Sequence, residues 1–255
     1  MARILIFIFF VFFINSCNKK SATQSLQIIR YNSDFKDYFS DGTIENSTTN
    51  LIIAYYKTYI LYGVPSTSFI LKKSSLNRDT IFNELIPSND TTYTYFVLEE
   101  NAKIGRRYDS LSSSNGSNFK PDSLFELINI DSANLKIFSV DLGKPYKITK
   151  EKDKILEVFL NHTVNGTDTI YRYFDKGLSD LQFSFSQLSD TQKKSKLYKT
   201  RMVQFSPNTN YKPTQSFVIR TDITDEIKRL KIDNQTPIIK LFEKFEHESE
   251  KLNLK

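Results

Sequence analysis

The chain has 255 residues, a formal charge of +6 from 35 Lys and Arg against 29 Asp and Glu, and a single cysteine. With only seven Gly and seven Pro it is neither collagen-like nor low-complexity, and one cysteine excludes an internal disulfide framework. There are 21 Phe and 14 Tyr but no Trp, and together with frequent Ile, Thr and Val this composition favours β-strands.

The N-terminal stretch Met1–Cys17 predicts a targeting segment. Arg3 supplies a positive start, and Ile4–Ile14 is an unbroken run of eleven apolar residues. As a helix this run would be about 16 Å long at ~1.5 Å per residue, whereas the apolar core of a bilayer is about 30 Å thick. The run is therefore too short to span a membrane, but it has the length and flanks of a signal peptide.

The apolar run followed by Ile14-Asn15-Ser16-Cys17 resembles the signal and lipobox of bacterial lipoproteins, in which a small residue such as Ser16 precedes the cysteine. The resemblance implies a diacylglycerol on the Cys17 thiol, cleavage before Cys17 and acylation of the new amino group. Asn18 is not the aspartate linked to inner-membrane retention, so the resemblance implies the outer membrane of a Gram-negative bacterium. An ordinary cleaved secretory signal and an uncleaved anchor are the alternatives.

The remaining chain is predicted to be a short tether and one β-rich domain. Residues 1–16 are the predicted signal peptide, 17–25 the lipidated tether with its small polar side chains, and 26–255 the domain. The Ser- and Asn-rich stretch 111–122 is a possible internal boundary, and 224–252 is predicted to be helical.

Several short segments predict strands separated by turns. Leu51–Val64 is β-branched and aromatic with one charge, Lys57, and predicts two strands that meet near this residue. Asp180–Ser186, with alternating apolar residues, predicts another strand. Such spacing is typical of antiparallel sheets.

The Asn165-Gly166 pair predicts a β-hairpin between Ile155 and Phe174. If these two residues form the turn, His162 faces Thr169. One face, the predicted core side, then carries Leu156, Val158, Leu160, Tyr171 and Tyr173.

The C-terminal part predicts helices. Thr224 is a candidate cap for a short helix, Asp225–Leu230, and Thr236 for a longer one with Pro237 in its first turn. The longer helix carries an apolar stripe at helical spacing: Ile238, Leu241, Phe242 and Phe245. The predicted fold class is mainly β: an antiparallel sheet (sandwich, barrel or curved half-barrel) with a C-terminal amphipathic helix packed on it.

The sequence shows no catalytic or metal-binding motif. The two histidines, His162 and His247, lie 85 residues apart, and the cysteine falls in the predicted lipidation site. A zinc site needs three or four suitable ligands, and the Gly-x-Ser-x-Gly elbow of serine hydrolases is missing. We expect no enzyme activity, no metal and no cofactor.

Two basic clusters are candidate contacts for anionic molecules, although solvated surface is the simpler interpretation. Arg106 and Arg107 are weak candidate ligand-binding residues, because a guanidinium can hold a phosphate or carboxylate through two bonds. The second cluster contains Lys193, Lys194, Lys196, Lys199 and Arg201.

Three functions follow as hypotheses. The first is an envelope-anchored lipoprotein that acts as a non-enzymatic binding or scaffold module. The second is a periplasmic or surface carrier of apolar ligands in a cavity between sheet and helix. The third is a hydrolase with an unrecognised site. The expected partners are the membrane, through lipid on Cys17, and an envelope protein or anionic envelope polymer, but not nucleic acid.

Overall fold

The computed structural model describes residues 25–77, 80–127, 142–163, 166–206 and 216–251. For residues 67–77 and 80–91, and for 163 and 166, it describes the backbone alone. Cys17 and the predicted signal peptide lie outside the described residues.

The described residues form eleven strands in one antiparallel sheet, which confirms the predicted fold class. In chain order the strands are β1 (Gln27–Phe39), β2 (Ile44–Tyr56), β3 (Tyr59–Asn77), β4 (Thr80–Glu99), β5 (Gly105–Tyr108), β6 (Ser117–Phe119), β7 (Lys147–Glu151), β8 (Lys154–Thr163), β9 (Gly166–Asp175), β10 (Lys196–Phe205) and β11 (Val218–Arg229). Their order in the sheet is β6-β5-β4-β3-β2-β1-β11-β10-β9-β8-β7. The sheet is thus two meanders that join where β1 pairs with β11.

The predicted break in Leu51–Val64 is confirmed. β2 ends at Tyr56 and β3 begins at Tyr59, and Lys57 between them has a left-handed backbone with φ of 57°. β3 then continues to Asn77. Within the predicted boundary 111–122, β6 pairs with β5 and so extends the same sheet.

The helices are α1 (Pro121–Leu127), a 3-10 turn (Lys176–Leu178), α2 (Gln187–Lys193) and α3 (Thr236–Lys251). α3 buries Ile238, Leu241, Phe242 and Phe245, which confirms the predicted apolar stripe. The helix predicted over Asp225–Leu230 is wrong, because Asp225 and its neighbours lie in β11. The backbone of this segment finds its hydrogen-bond partners in β1 on one side and β10 on the other, so it is extended.

The strand predicted over Asp180–Ser186 is also wrong. The segment is irregular, yet Leu181 and Phe185 are buried against the sheet. Its alternating apolar residues therefore reflect burial of one side of an extended segment that pairs with no described strand.

The predicted hairpin forms between β8 and β9, but its register differs by two residues. Thr163 pairs with Gly166, so Gly166 belongs to the strand, and His162 pairs with Thr167 instead of Thr169. A shift of two residues leaves each side chain on its predicted face.

The predicted core side of this hairpin is wrong. Phe159, Arg172 and Phe174 are buried, whereas Val158 and Tyr171 on the predicted core side are only half-buried. The reason is that, among the described residues, the segments that cover this half of the sheet pack on its other face.

Each face of the sheet has its own core. We call the two sides the helix face, where α3 packs, and the loop face, where α1 and the segment from Lys176 to Ser186 pack. On the helix face Phe242 contacts Tyr56, with ring centroids 5.6 Å apart. The loop-face core extends across the sheet from β4 to β9 through the buried residues Ile29, Tyr31, Leu51, Ile53, Phe96, Leu98, Leu124, Phe174, Leu181, Phe185, Leu197 and Ile227.

Candidate functional site

The two arginines singled out by the sequence point to opposite sides of β5, because side chains alternate along a strand. Arg106 donates from Nε to Glu248 Oε2 of α3 at 3.0 Å and from Nη1 to Asn118 Oδ1 at 2.5 Å. Arg107 is exposed and pairs with Asp109 at 3.3 Å. The structure does not bring the two guanidinium groups together on one anion, and ligand binding by either stays a prediction.

The second basic cluster is divided among several acidic and aromatic partners. Lys193 contacts Glu157, and Lys196 pairs with Asp190 at 2.8 Å. Lys199 stands over the Tyr173 ring at 5.6 Å. The cluster is therefore not one continuous cationic surface. Among the described residues, no group of three His, Cys, Asp or Glu side chains is arranged to hold a metal ion.

The loop face carries a line of buried and half-buried polar side chains that sequence analysis did not identify. Ser33, Asp225, Thr200, Arg172 and Glu157 are direct cross-strand partners on β1, β11, β10, β9 and β8. We call these five residues the polar row. Directly paired residues on one face have Cβ atoms roughly 4.5–5.5 Å apart, so the row is a continuous band across five strands.

The charged side chains of the polar row are almost fully buried. Glu157 is 3% exposed, Asp225 5% and Arg172 7%. Buried polar groups are costly unless they are hydrogen-bonded. Tyr31 satisfies part of this need by donating from its hydroxyl to Asp225 Oδ1 at 2.7 Å. At the other end of the row Glu157 is bound by Lys193, the last residue of α2.

Burial also changes the acidity of this site. Loss of water around the carboxyl raises the pKa of Asp225, although hydrogen bonds from Tyr31 and Ser33 oppose the shift. Burial, followed by the neighbouring Asp225 charge, raises the pKa of the Tyr31 hydroxyl. The tyrosine therefore keeps its proton for the bond to the carboxyl.

A second line of side chains lies next to the polar row and is entirely apolar. Phe35, Ile223, Met202, Ile170 and Phe159 are again direct partners on β1, β11, β10, β9 and β8. We call them the apolar row. Phe35 is 38% exposed and Phe159 6%, with the three between them half-buried. Neither of the two core clusters of described residues includes any of the five.

Aromatic rings close the other side of the polar row. Phe183 and Phe185 lie with ring centroids 6.4 and 6.1 Å from that of Tyr31, and they meet each other edge to face at 5.2 Å. Asp190 of α2 fixes the segment that carries these two phenylalanines. It accepts hydrogen bonds from Ser184 Oγ and from the backbone N–H of Leu197, both at 2.7 Å.

The loop face thus presents a polar band between two apolar surfaces. One surface is the packed core around Tyr31, and the other is the apolar row. Such an arrangement offers apolar contact together with a few fixed polar groups, which is the usual composition of small-molecule sites. The sequence signal for the band is a polar residue between two apolar ones at alternate positions of a strand, as in Ile223, Asp225 and Ile227 of β11.

Comparisons with known proteins include a remote structural likeness. No protein-family model and no curated protein matches the chain. A crystal structure of a LolA superfamily protein from Nitrosomonas europaea aligns with a TM-score of 0.23 and 8% sequence identity, over 81% of this chain and 87% of that chain. A likeness this weak does not assign a function. Of the helices that the structure describes, none has the length and apolar character needed to cross a membrane.

Proposed function

We propose that the protein is a lipid-anchored envelope protein that binds an amphiphilic ligand, without catalysis, on the loop face of its sheet. The ligand's apolar part contacts the apolar row, which opens to solvent at Phe35, and its polar part reaches the polar row at the half-buried Ser33. This combines the binding role expected from the sequence with the alternative of a carrier for apolar molecules.

The apposition of the two rows carries the proposal. Five apolar side chains are aligned across five strands, directly beside five polar ones. Phe35 at one end of the apolar row is 38% exposed, so the row is reached from solvent there. An apolar strip that begins at the surface and runs beside buried charges suits a molecule with both kinds of surface.

Binding fits this geometry better than chemistry does. Asp225 is held by Tyr31, Glu157 by Lys193, and Arg172 stacks over Phe159 at 5.5 Å. Groups that are fixed in this way orient a bound molecule but are not poised for proton transfer, which needs direct access to a reacting atom.

Lipid attachment at Cys17 is the second part of the proposal. Two or three acyl chains, at about 0.8 kcal/mol per buried methylene, suffice for stable membrane attachment. Asn18 supports the outer membrane as the location. The Cys17→Ser chain should leave the membrane fraction of its native host, and intact-mass analysis of the wild-type chain should show acyl groups. Unchanged membrane association would refute this part.

Ligand binding is tested by fluorescence titration with a dansyl-labelled fatty acid. Ile223→Asn places an amide inside the apolar row, and Met202→Gln does so at the middle position with a side chain of nearly equal length. Each should weaken binding at least tenfold, about 1.4 kcal/mol. Ile44→Asn is the matched control, because Ile44 is 52% exposed and lies at the first position of β2, outside both rows.

Circular dichroism must show that each variant remains folded. Equal affinity of the wild type, Ile223→Asn and Ile44→Asn would refute binding on the apolar row. Native mass spectrometry of the protein from its host would identify a ligand that remains bound.

A scaffold role is a second candidate, favoured by the helix face of β1 and of β9 to β11. Cations stack on tyrosines there: Arg220 on Tyr38 at 4.9 Å and Arg201 on Tyr171 at 5.7 Å. Arg201 and Arg220 also pair with Asp222, at 2.9 and 2.6 Å, but their side chains stay 39% and 35% exposed. Exposed guanidinium groups suit an anionic envelope polymer or an envelope protein. Replacing both arginines by glutamine should then weaken retention on an immobilised anionic polysaccharide, and unchanged retention would refute this candidate.

A further inference from the structure

A cavity of about 220 Å³ lies where the described chain begins. It is formed by the start of β1, the end of β11, the loop that leads to α3 and the residues Asp180 and Leu181. This volume is below the roughly 300–1,000 Å³ of ordinary ligand pockets, and it suits a headgroup better than a whole lipid.

The walls of the cavity combine apolar and cationic groups. Leu26, Ile28 and Leu230 supply apolar surface, and Arg229 and Lys231 supply positive charge. This combination suits an anionic group attached to a hydrocarbon. A guanidinium can hold a phosphate through two hydrogen bonds, and an ammonium adds a point charge.

Arg229 is held at the rim in an arrangement that an anion can replace. Its Nη2 contacts Asp180 Oδ1 at 2.5 Å, with side chains 39% and 58% exposed. Exposed ion pairs contribute little to stability, so exchanging the carboxylate for a phosphate is not strongly opposed. Gln27 fixes the backbone that carries Asp180, donating to the Asp180 carbonyl and accepting from the Gln182 N–H, both at 2.9 Å.

The covalent chain keeps this cavity close to the proposed anchor. Seven residues, 18–24, separate Cys17 from Ser25, which lines the cavity. At roughly 3.3–3.6 Å per residue the fully extended chain reaches less than about 30 Å. Arg30 and Lys228 are exposed on neighbouring strands close to the cavity. Cations this close to an anionic leaflet add to the attraction.

We propose that this cavity binds the phosphate headgroup of an anionic phospholipid in the membrane that holds the anchor. Arg229 and Lys231 bind the phosphate, and the apolar wall contacts the glycerol and the first carbons of the chains. Binding would fix the orientation of the domain on the bilayer. The membrane context rests on the proposed lipidation of Cys17, whereas the headgroup site itself can be measured without it.

The test uses the chain from Asn18 onward, which contains every described residue but no acyl anchor. Sedimentation with vesicles of phosphatidylcholine, with or without phosphatidylglycerol, measures binding. The wild type should prefer the anionic vesicles, and the double variant Arg229→Gln, Lys231→Gln should bind at least tenfold less. Lys147→Gln, Lys150→Gln is the control, because it removes the same charge from β7 at one edge of the sheet, away from the cavity.

An equal loss of vesicle binding in both double variants would show that the attraction depends on overall charge, and it would overturn the proposal. Absence of wild-type binding to anionic vesicles would overturn it as well. Asp180→Asn is a second variant that releases Arg229, and it should strengthen binding; weaker binding in a folded protein would contradict the site. Ile223→Asn should bind vesicles as the wild type does, because it changes the apolar row and not the cavity. Failure of the amphiphile site can therefore be distinguished from failure of the headgroup site. A native protein without acyl groups would refute the anchor and leave the vesicle result standing.

Discussion

Replacing Phe242 by alanine should strongly destabilise the protein, because this ring joins α3 to the sheet. Phe242 is 1% exposed and contacts Tyr56 of β2 with ring centroids 5.6 Å apart. It belongs to the helix-face cluster with Ala54, Leu61 and Val97. The change therefore opens a cavity between α3 and three neighbouring strands.

The magnitude follows from the buried area. A buried Phe removes roughly 150–200 Å² from water, which is roughly 4–5 kcal/mol at about 25 cal/mol per Å². Phe→Ala changes in cores typically cost about 3–5 kcal/mol, from a total domain stability of roughly 5–15 kcal/mol. For a chain of this size, about 2–4 °C per kcal/mol predicts a melting temperature lower by roughly 6–20 °C.

Urea denaturation followed by circular dichroism measures this loss. Leu188→Ala is the control, since Leu188 lies on α2 and is 62% exposed; it should change stability by less than about 0.5 kcal/mol. A loss of less than about 1 kcal/mol for Phe242→Ala would show that α3 does not pack on the sheet as described.

Two further changes test the site and the sheet edge. Asp225→Asn should stabilise the protein at neutral pH and much less near pH 4, because the raised pKa of Asp225 means that wild-type stability falls as pH rises through that pKa. The amide oxygen of the variant can still accept the hydrogen bond from Tyr31. A gain in stability that does not depend on pH would contradict this account. Gly105→Ala should lower stability by about 1–3 kcal/mol, because an added Cβ would collide with Phe119 and lie 2.8 Å from the Val97 carbonyl oxygen. An unchanged melting temperature would contradict the close pairing of β4, β5 and β6.

The parts of the fold that could be predicted from the sequence depend on local patterns. The apolar stripe of α3 has helical spacing, and its four residues are buried as expected. The chain reversal near Lys57 was also predictable, since strand-forming residues flank a charged one and the turn is tight. In both cases the local preference agrees with the final packing.

The errors arose where tertiary pairing decides the structure. Thr224 and Asp225 have the chemistry of a helix start, but strands on both sides supply partners for an extended backbone. Leu181, Phe183 and Phe185 alternate as in a strand, but their segment covers the sheet instead of joining it. Local sequence gives the same signal for either outcome.

The polar row could not be predicted because it depends on the register of five strands. A single polar residue between apolar ones, such as Arg172, indicates a solvent-facing position when it is considered in isolation. Only the pairing of Arg172 with both Thr200 and Glu157 shows that the polar positions align. Cross-strand register at long separation is set by the whole sheet.

The pairing of β1 with β11 has a consequence for biosynthesis. The hydrogen bond between Tyr31 and Asp225 joins residues 194 positions apart, so the centre of the sheet cannot close before β11 has been made. Until then β1 has one edge without its partner, and such an edge invites association with other chains. A polypeptide that ends before β11 would keep that unpaired edge, whereas a chain that includes β11 conceals it in the middle of the sheet.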